Sequence, residues 1–238
     1  MKRSFVVFLL SVFVMVMLSG CMYPEDKLAQ NQVPYQDQVE SVQAAVTQFK
    51  DENGGILPIK NSEETTPIYQ KYLIDFKKIA PKYMAEPPGN AFESGGVFQY
   101  VIVNAENDPT VKIFDLRVSE LISELNMRIK VQGYPPYKEK VAEGVYTLDY
   151  EKLGYEEEPF VASPYTNKKL PFVINGQAEI FVDYRMDLAD ALRKGETEYQ
   201  SGEDIRDILL KDSVFVPAYS LPYTIDSETK EPIFLLTN

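Results

Sequence analysis

The only cysteine of the chain, Cys21, stands directly behind a long apolar run, and no other feature restricts the fold so much. Lys2 and Arg3 precede Phe5 to Leu18, a stretch broken only by Ser11, and Leu18-Ser19-Gly20 leads into the cysteine. A basic start, an apolar middle and small residues before a cut are the parts of a secretory signal. The run falls short of the ~20 residues needed to cross a bilayer. Residues 1–20 are therefore expected to leave as a signal peptide. One cysteine allows no intramolecular disulfide, so the 218 residues from Cys21 onward must be held together by packing.

The four residues Leu18-Ser19-Gly20-Cys21 resemble the lipobox of bacterial lipoproteins: leucine, a small residue, glycine or alanine, then cysteine. The resemblance implies a thioether-linked diacylglycerol on Cys21, cleavage before it, and Cys21 as the mature N-terminus. Lipidation at Cys21 is thus the expected modification site, and the outer face of the cytoplasmic membrane the expected location. Two acyl chains hold a protein stably where one is marginal. Residues 21–35 are polar, carry Pro24 and Pro34, and show no hydrophobic period; they are expected to form a lipidated tether.

The chain contains no histidine, which removes Ser-His-Asp and Cys-His catalysis and ordinary histidine-ligated metals. Without Lys2 and Arg3, 22 basic residues face 36 acidic ones, a net charge of −14. That sign is wrong for a nucleic-acid partner, which demands basic groups against phosphates. It also opposes adsorption to anionic headgroups, leaving the anchor as the expected link to the membrane. The 16 tyrosines and 13 phenylalanines are enough to build a core, which argues against wholesale disorder.

Val39, Val42, Val46 and Phe49 lie on one face of a helix, ended by Asn53-Gly54-Gly55. Thr66-Pro67 starts a second, with the stripe Ile68, Tyr72, Phe76 and Ile79 running to Pro81. Val97 to Asn104 reads as a buried strand, and Val111 to Phe114 as its partner after the turn Asn107-Asp108-Pro109. Val118, Ile122, Leu125 and Ile129 mark a helix closed by Gly133. Tyr134-Pro135-Pro136-Tyr137 divides the chain into halves, residues 36–133 and 134–238. Residues 138–162 give no clear pattern beyond a short helix around Asp149 to Leu153.

Asn175-Gly176, between Pro171–Ile174 and Gln177–Asp183, predicts a hairpin with a two-residue type I′ turn. Helices are expected over Met186–Lys194, closed by Gly195, and over Glu203–Lys211, with Ser201 and Asp204 as a capping box. Val214–Pro217 and Ile233–Leu236 read as closing strands. Ser163-Pro-Tyr-Thr166 before Lys169–Phe172 echoes Leu221-Pro-Tyr-Thr224 before Lys230–Phe234, which suggests one turn-and-strand device used twice. The whole is an α+β chain, amphipathic helices on antiparallel sheet.

Few constellations carry chemistry. Glu156-Glu157-Glu158 is the densest acidic run, but adjacent loop residues diverge, and a solvated turn is expected. Asn104, Glu106, Asp108 and Asp115 occupy calcium-loop positions, with Pro109 where the essential glycine belongs. Ser227-Glu-Thr-Lys230 has the Ser-x-x-Lys spacing without the accompanying motifs. No catalytic, cofactor or metal residue is therefore assigned. Tyr134, Tyr137, Tyr155, Tyr165 and Tyr223, several beside proline, suit either packing or a sugar, peptide or partner surface.

Two further resemblances follow. Val39 to Pro58, with Asp51, Asn53, Gly54 and Pro58, is similar to the end of the long helix in type IV pilins and pseudopilins, and residues 68–100 continue that order of elements. It implies a helix-on-sheet fold. The span from the lipobox through Ser163–Thr166 and Pro171–Gly176 resembles small lipoproteins of Bacillus-like bacteria of the YphF type. The expected function is a non-enzymatic binding or accessory module at the membrane, its partner an envelope protein or a small molecule. A solute receptor of an uptake system, and a cell-envelope hydrolase using carboxylates, stand as alternatives.

Overall fold

The computed structural model describes residues 35–195 and 199–235. The signal peptide, Cys21 and the tether up to residue 34 lie outside the described residues, as do residues 236–238 at the end of the last predicted strand. The described residues from Gln38 onward form one compact unit.

Helix α1 (Tyr35–Glu52) buries Val39, Val42, Ala45 and Val46, the stripe that the spacing predicts. Gly55, in left-handed conformation, closes it by donating to the Lys50 carbonyl at 2.9 Å. On α1, Gln43 crosses to the first hairpin. Its amide donates to the Pro109 carbonyl (3.1 Å) and accepts from the Val111 N–H (2.7 Å), fixing the helix to the hairpin.

The helix expected over residues 66–80 is instead two single turns, α2 (Ile68–Lys71) and α3 (Phe76–Ile79). Between them Leu73 and Ile74 are extended and bridge to Val101 and Ile59. The Ile74 N–H donates to Tyr100 and the Ile102 N–H to Tyr72, so strand pairing takes the backbone groups a helix would use. In consequence Ile68 is 58 % exposed, and Tyr69 beside it is buried.

Strands β1 (Phe98–Val103) and β2 (Thr110–Asp115) pair antiparallel, with Val103 opposite Thr110 and Val101 opposite Lys112. All six β1 residues are buried. Helix α4 (Arg117–Gln132) follows and ends at the left-handed Gly133. Residues 137–148, unassigned from sequence, form a hairpin of β3 (Tyr137–Ala142) and β4 (Val145–Leu148), turning at Glu143-Gly144. A 3₁₀ turn at Glu151–Leu153 stands where a short helix was expected.

Short strands β5 (Val161–Ala162) and β6 (Lys169–Leu170) pair around the Ser163–Thr166 turn. Next come β7 (Phe172–Asn175) and β8 (Ile180–Val182), the predicted hairpin with a different turn. Ala178, not glycine, takes the positive φ and donates to the Asn175 carbonyl, while the Asn175 side chain accepts from Gln177 and Glu179 N–H groups. The loop is thus three residues long, a turn closed by a left-handed residue. Strands β3-β4-β7-β8 form the largest sheet, all antiparallel, as the α+β class requires.

Helix α5 (Arg185–Lys194) closes at Gly195 as expected. The second expected helix is shorter and tighter, a 3₁₀ segment at Arg206–Leu210. Val214–Pro217 makes only a single parallel bridge, Phe215 with Ile113. The chain then forms β9 (Tyr223–Ile225) and β10 (Pro232–Phe234). The echoed Pro-Tyr-Thr segments differ: the first is the β5–β6 turn, the second enters β9 with Tyr223 in the core.

Three starts share a device that the sequence reading overlooked. Asp115, Asp183 and Asp204 each accept the backbone N–H of the arginine two residues on, and its guanidinium folds back on the same carboxylate. Each pair opens a helical segment, where a carboxylate is favoured and free N–H groups need acceptors. Asp-Leu-Arg, Asp-Tyr-Arg and Asp-Ile-Arg are the signal.

Candidate functional site

Opposite residues of an antiparallel pair share a face, so Val101, Val103, Thr110 and Lys112 lie together on one side of the β1–β2 hairpin. Tyr69, Phe114, Val216 and Ala218 pack with Val101 and Val103 into a small core. Beyond that core the face opens into a cleft of about 780 Å³. Val103, Thr110 and Lys112 form its floor, Ile68, Tyr69 and Tyr72 one wall, and the turn Asn104–Asn107 one end. The opposite wall is Asp204, Asp207, Leu210 and Lys211. In a 3₁₀ helix residues three apart eclipse, which is why Asp207 and Leu210 share this side, with Asp204 just ahead of the segment.

Lys112 is the one cation on this hairpin face, which it shares with Val101, Val103, Thr110, Phe114 and the Gln99 amide. Its Nζ donates to the carbonyls of Leu210 (2.9 Å) and Ser213 (2.5 Å), tying the 3₁₀ segment to the floor. Burial holds the Lys112 ammonium below its usual range, against the opposing charge of Asp212. Arg206 secures the other end. Its guanidinium binds Asp204, donates to the Ser220 carbonyl and hydroxyl, and lies 5.0 Å from the centre of the Tyr69 ring. Burial pushes the Tyr69 phenol up, so it stays protonated on the cleft wall. Asp207 accepts from the Tyr199 hydroxyl at 3.0 Å.

Behind the 3₁₀ segment lies a second hollow of about 440 Å³, with Tyr165, Thr166, Asp187, Ile208 and Leu209 on its walls. Asp187 is buried and accepts from the hydroxyls of Ser163 (2.8 Å) and Thr166 (2.6 Å). Desolvation raises its carboxyl, and those two hydrogen bonds oppose the rise. The bonds pin the β5–β6 turn to α5. The Tyr165 hydroxyl beside them is buried without a hydrogen-bond partner among the described residues.

The residues singled out from sequence are dispersed. Asn104, Glu106 and Asp108 sit in the β1–β2 turn, but Asp115 is at the far end of β2, opposite Phe98 and bound to Arg117. Among the described residues no group of three or more acidic or sulfur ligands could hold a metal. Glu156, Glu157 and Glu158 are exposed in a loop. Ser227 and Lys230 belong to the β9–β10 turn, organised by Asp226.

Of the five tyrosines, Tyr165 alone lines either of these hollows. Tyr223 is fully buried, Tyr137 packs on Tyr146, Tyr155 bonds Glu124 and lies under Arg128, and Tyr134 is exposed. Sequence reasoning missed Tyr69, Lys112, Asp204 and Asp207 as members of one site. A lysine among the buried positions of a strand, Thr110-Val-Lys-Ile-Phe114, was the available signal.

Residues 35–115 match the YphF family N-terminal domain. The match runs from the first residue of α1 to the last of β2, so the matched segment holds the floor, the tyrosine wall and the turn. The acidic wall, residues 204–211, lies outside it. No curated protein and no solved structure matches the chain.

Proposed function

We propose that the chain is a YphF-type lipoprotein, anchored through Cys21 to the outer face of the cytoplasmic membrane, whose folded part is a non-enzymatic binding module. The cleft carries this reading: an aromatic wall and a charged wall converge over one hairpin face, in a volume typical of small-ligand sites. The test is a heat-shift screen with sugars, peptides, polyamines and metals, repeated on Tyr72→Ala. A ligand present at 100 times its Kd stabilises by about 2.7 kcal/mol. Stabilisation that Tyr72→Ala abolishes supports the cleft; stabilisation indifferent to it places binding elsewhere.

The cleft volume also favours a second reading, a small-solute receptor of an uptake system. Crosslinking in cells followed by purification separates the two, since a permease among the partners marks the receptor. For the anchor, Cys21→Ala is expected to leave uncleaved precursor without a diacylglyceryl group, read by mass spectrometry. Mature, membrane-bound protein in that variant would refute the anchor.

A further inference from the structure

The charges of the acidic wall are engaged within the protein. Asp204 is bound by Arg206, and Asp207 accepts from the Tyr199 hydroxyl, with Lys211 lying over the same tyrosine ring at 5.7 Å. Lys112 directs its ammonium at the Leu210 and Ser213 carbonyls. Counted with Glu106, the acidic groups around the cleft are matched by Lys112, Lys211 and Arg206, so no strong local field selects a charged ligand. The groups left open are of another kind. In the turn at one end, the side chains of Asn104, Glu106 and Asn107 are exposed and without a hydrogen-bond or ion-pair partner among the described residues. The Tyr72 hydroxyl has none either. Ile68 is exposed on the same wall as Tyr72. Lys71 approaches the Tyr72 ring to 5.8 Å but is no part of the cleft lining, so it covers a different side of the ring.

We propose that the cleft binds a short neutral saccharide, its hydroxyls held by Asn104, Glu106 and Asn107 and the C–H face of a sugar ring laid on Tyr72 and Ile68. The proposal rests on the reading of the cleft as a ligand site. The two amides offer donors and acceptors, and the carboxylate accepts only. Hydroxyls, which both donate and accept, satisfy all three, while the ring's apolar face suits an aromatic and aliphatic wall. An extended peptide would look for a free strand edge. Both edges of this hairpin are taken, β1 by Tyr72 and Ile74 and β2 by Val214 and Val216. An anion meets Glu106 and a net charge of −12, and a cation finds only Glu106 unengaged.

The experiment is titration calorimetry of the full-length protein, in a detergent without a sugar headgroup that could compete. The probes are maltotriose, cellotriose and tri-N-acetylchitotriose, with the cationic glucosamine trimer and the anionic trigalacturonate as charged counterparts. At least one neutral trisaccharide should bind, and the charged ones about tenfold or more weakly. Its affinity should hold between about 0.05 and 0.5 M salt, because the ligand has no charge to screen. Glu106→Ala and Asn107→Ala should each weaken it about fivefold to tenfold, and Tyr72→Ala about tenfold or more. Glu106 and Asn107 are exposed, so neither change threatens folding. Tighter binding of a charged trimer would overturn the assignment of a neutral sugar. So would silence from all the saccharides alongside Tyr72-dependent binding of another compound, although the cleft reading would then survive. Saccharide binding indifferent to all three substitutions, or silence from every compound tested, would overturn both.

Discussion

The β1–β2 hairpin and the four-stranded sheet bury their strands by different means. The larger sheet supplies its own neighbours, and its inner residues Phe172, Val173 and Ile174 join Leu125, Leu148, Leu188 and Tyr223 in the large core. Its outer strand β3 is protected by Lys138, Glu139 and Lys140 and by irregular register, common ways to blunt an edge. The hairpin has only two strands, yet β1 is buried throughout. It borrows its flanks: Leu73 bridges β1, Phe215 bridges β2, and Gln43 holds α1 against it. Borrowed cover is short, and the cleft lies where it stops. A site can thus arise from incomplete covering of a sheet, with no motif dedicated to it.

The largest effect should come from the self-sufficient side. Phe172→Ala empties a fully buried position in the large core and should cost about 3–5 kcal/mol in urea unfolding. Unfolding in two steps would show the two cores to be separable, and sharpen the expected division near Tyr134; one step would tie them together. Next is the strap across the cleft. Lys112→Met strips the Leu210 and Ser213 carbonyls of their donor and should cost about 1–3 kcal/mol. If the 3₁₀ wall holds without the strap, stability will scarcely change, and the picture of borrowed cover fails. Gly133→Ala places a side chain at φ 89° after α4 and should cost about 1 kcal/mol with no effect on the cleft.

The smallest effect is one of slope. The Asp187 carboxyl is raised by desolvation, with Thr166, Ser163 and Lys168 opposing the rise and Asp190 adding to it. A carboxyl raised on folding binds more protons in the folded state. Stability therefore falls as pH climbs from the ordinary carboxylate range through the raised value, and is level above it. Asp187→Asn keeps an acceptor for the hydroxyls and removes that fall, so the variant should gain on wild type as pH rises. Urea unfolding between pH ~3.5 and ~7 measures it, and a constant difference would show that Asp187 does not titrate with folding.

The sequence by itself determined what local chemistry governs. The stripes of α1 and α4 and the left-handed glycines that close them are legible because a helix repeats every 3.6 residues and its end favours a left-handed residue; Gly195 also marks the end of α5, though in extended conformation. The β1–β2 and β7–β8 hairpins follow from β-branched runs joined by short turns, although Ala178 displaced Gly176 from the special backbone position. The three Asp-x-Arg starts were equally legible and passed unread.

Tertiary structure decided the rest. Residues 66–80 carry a helical stripe, but the pairing of Leu73 with Val101 outweighed it, because a hydrogen-bonding group can serve only one ladder. The cleft depends on Lys112 reaching carbonyls 98 and 101 residues further along the chain. Periodicity reports which face of an element is buried, never what comes to lie against it. That choice belongs to the packing of distant segments, and it placed Asp207 and Lys211 across from Tyr72.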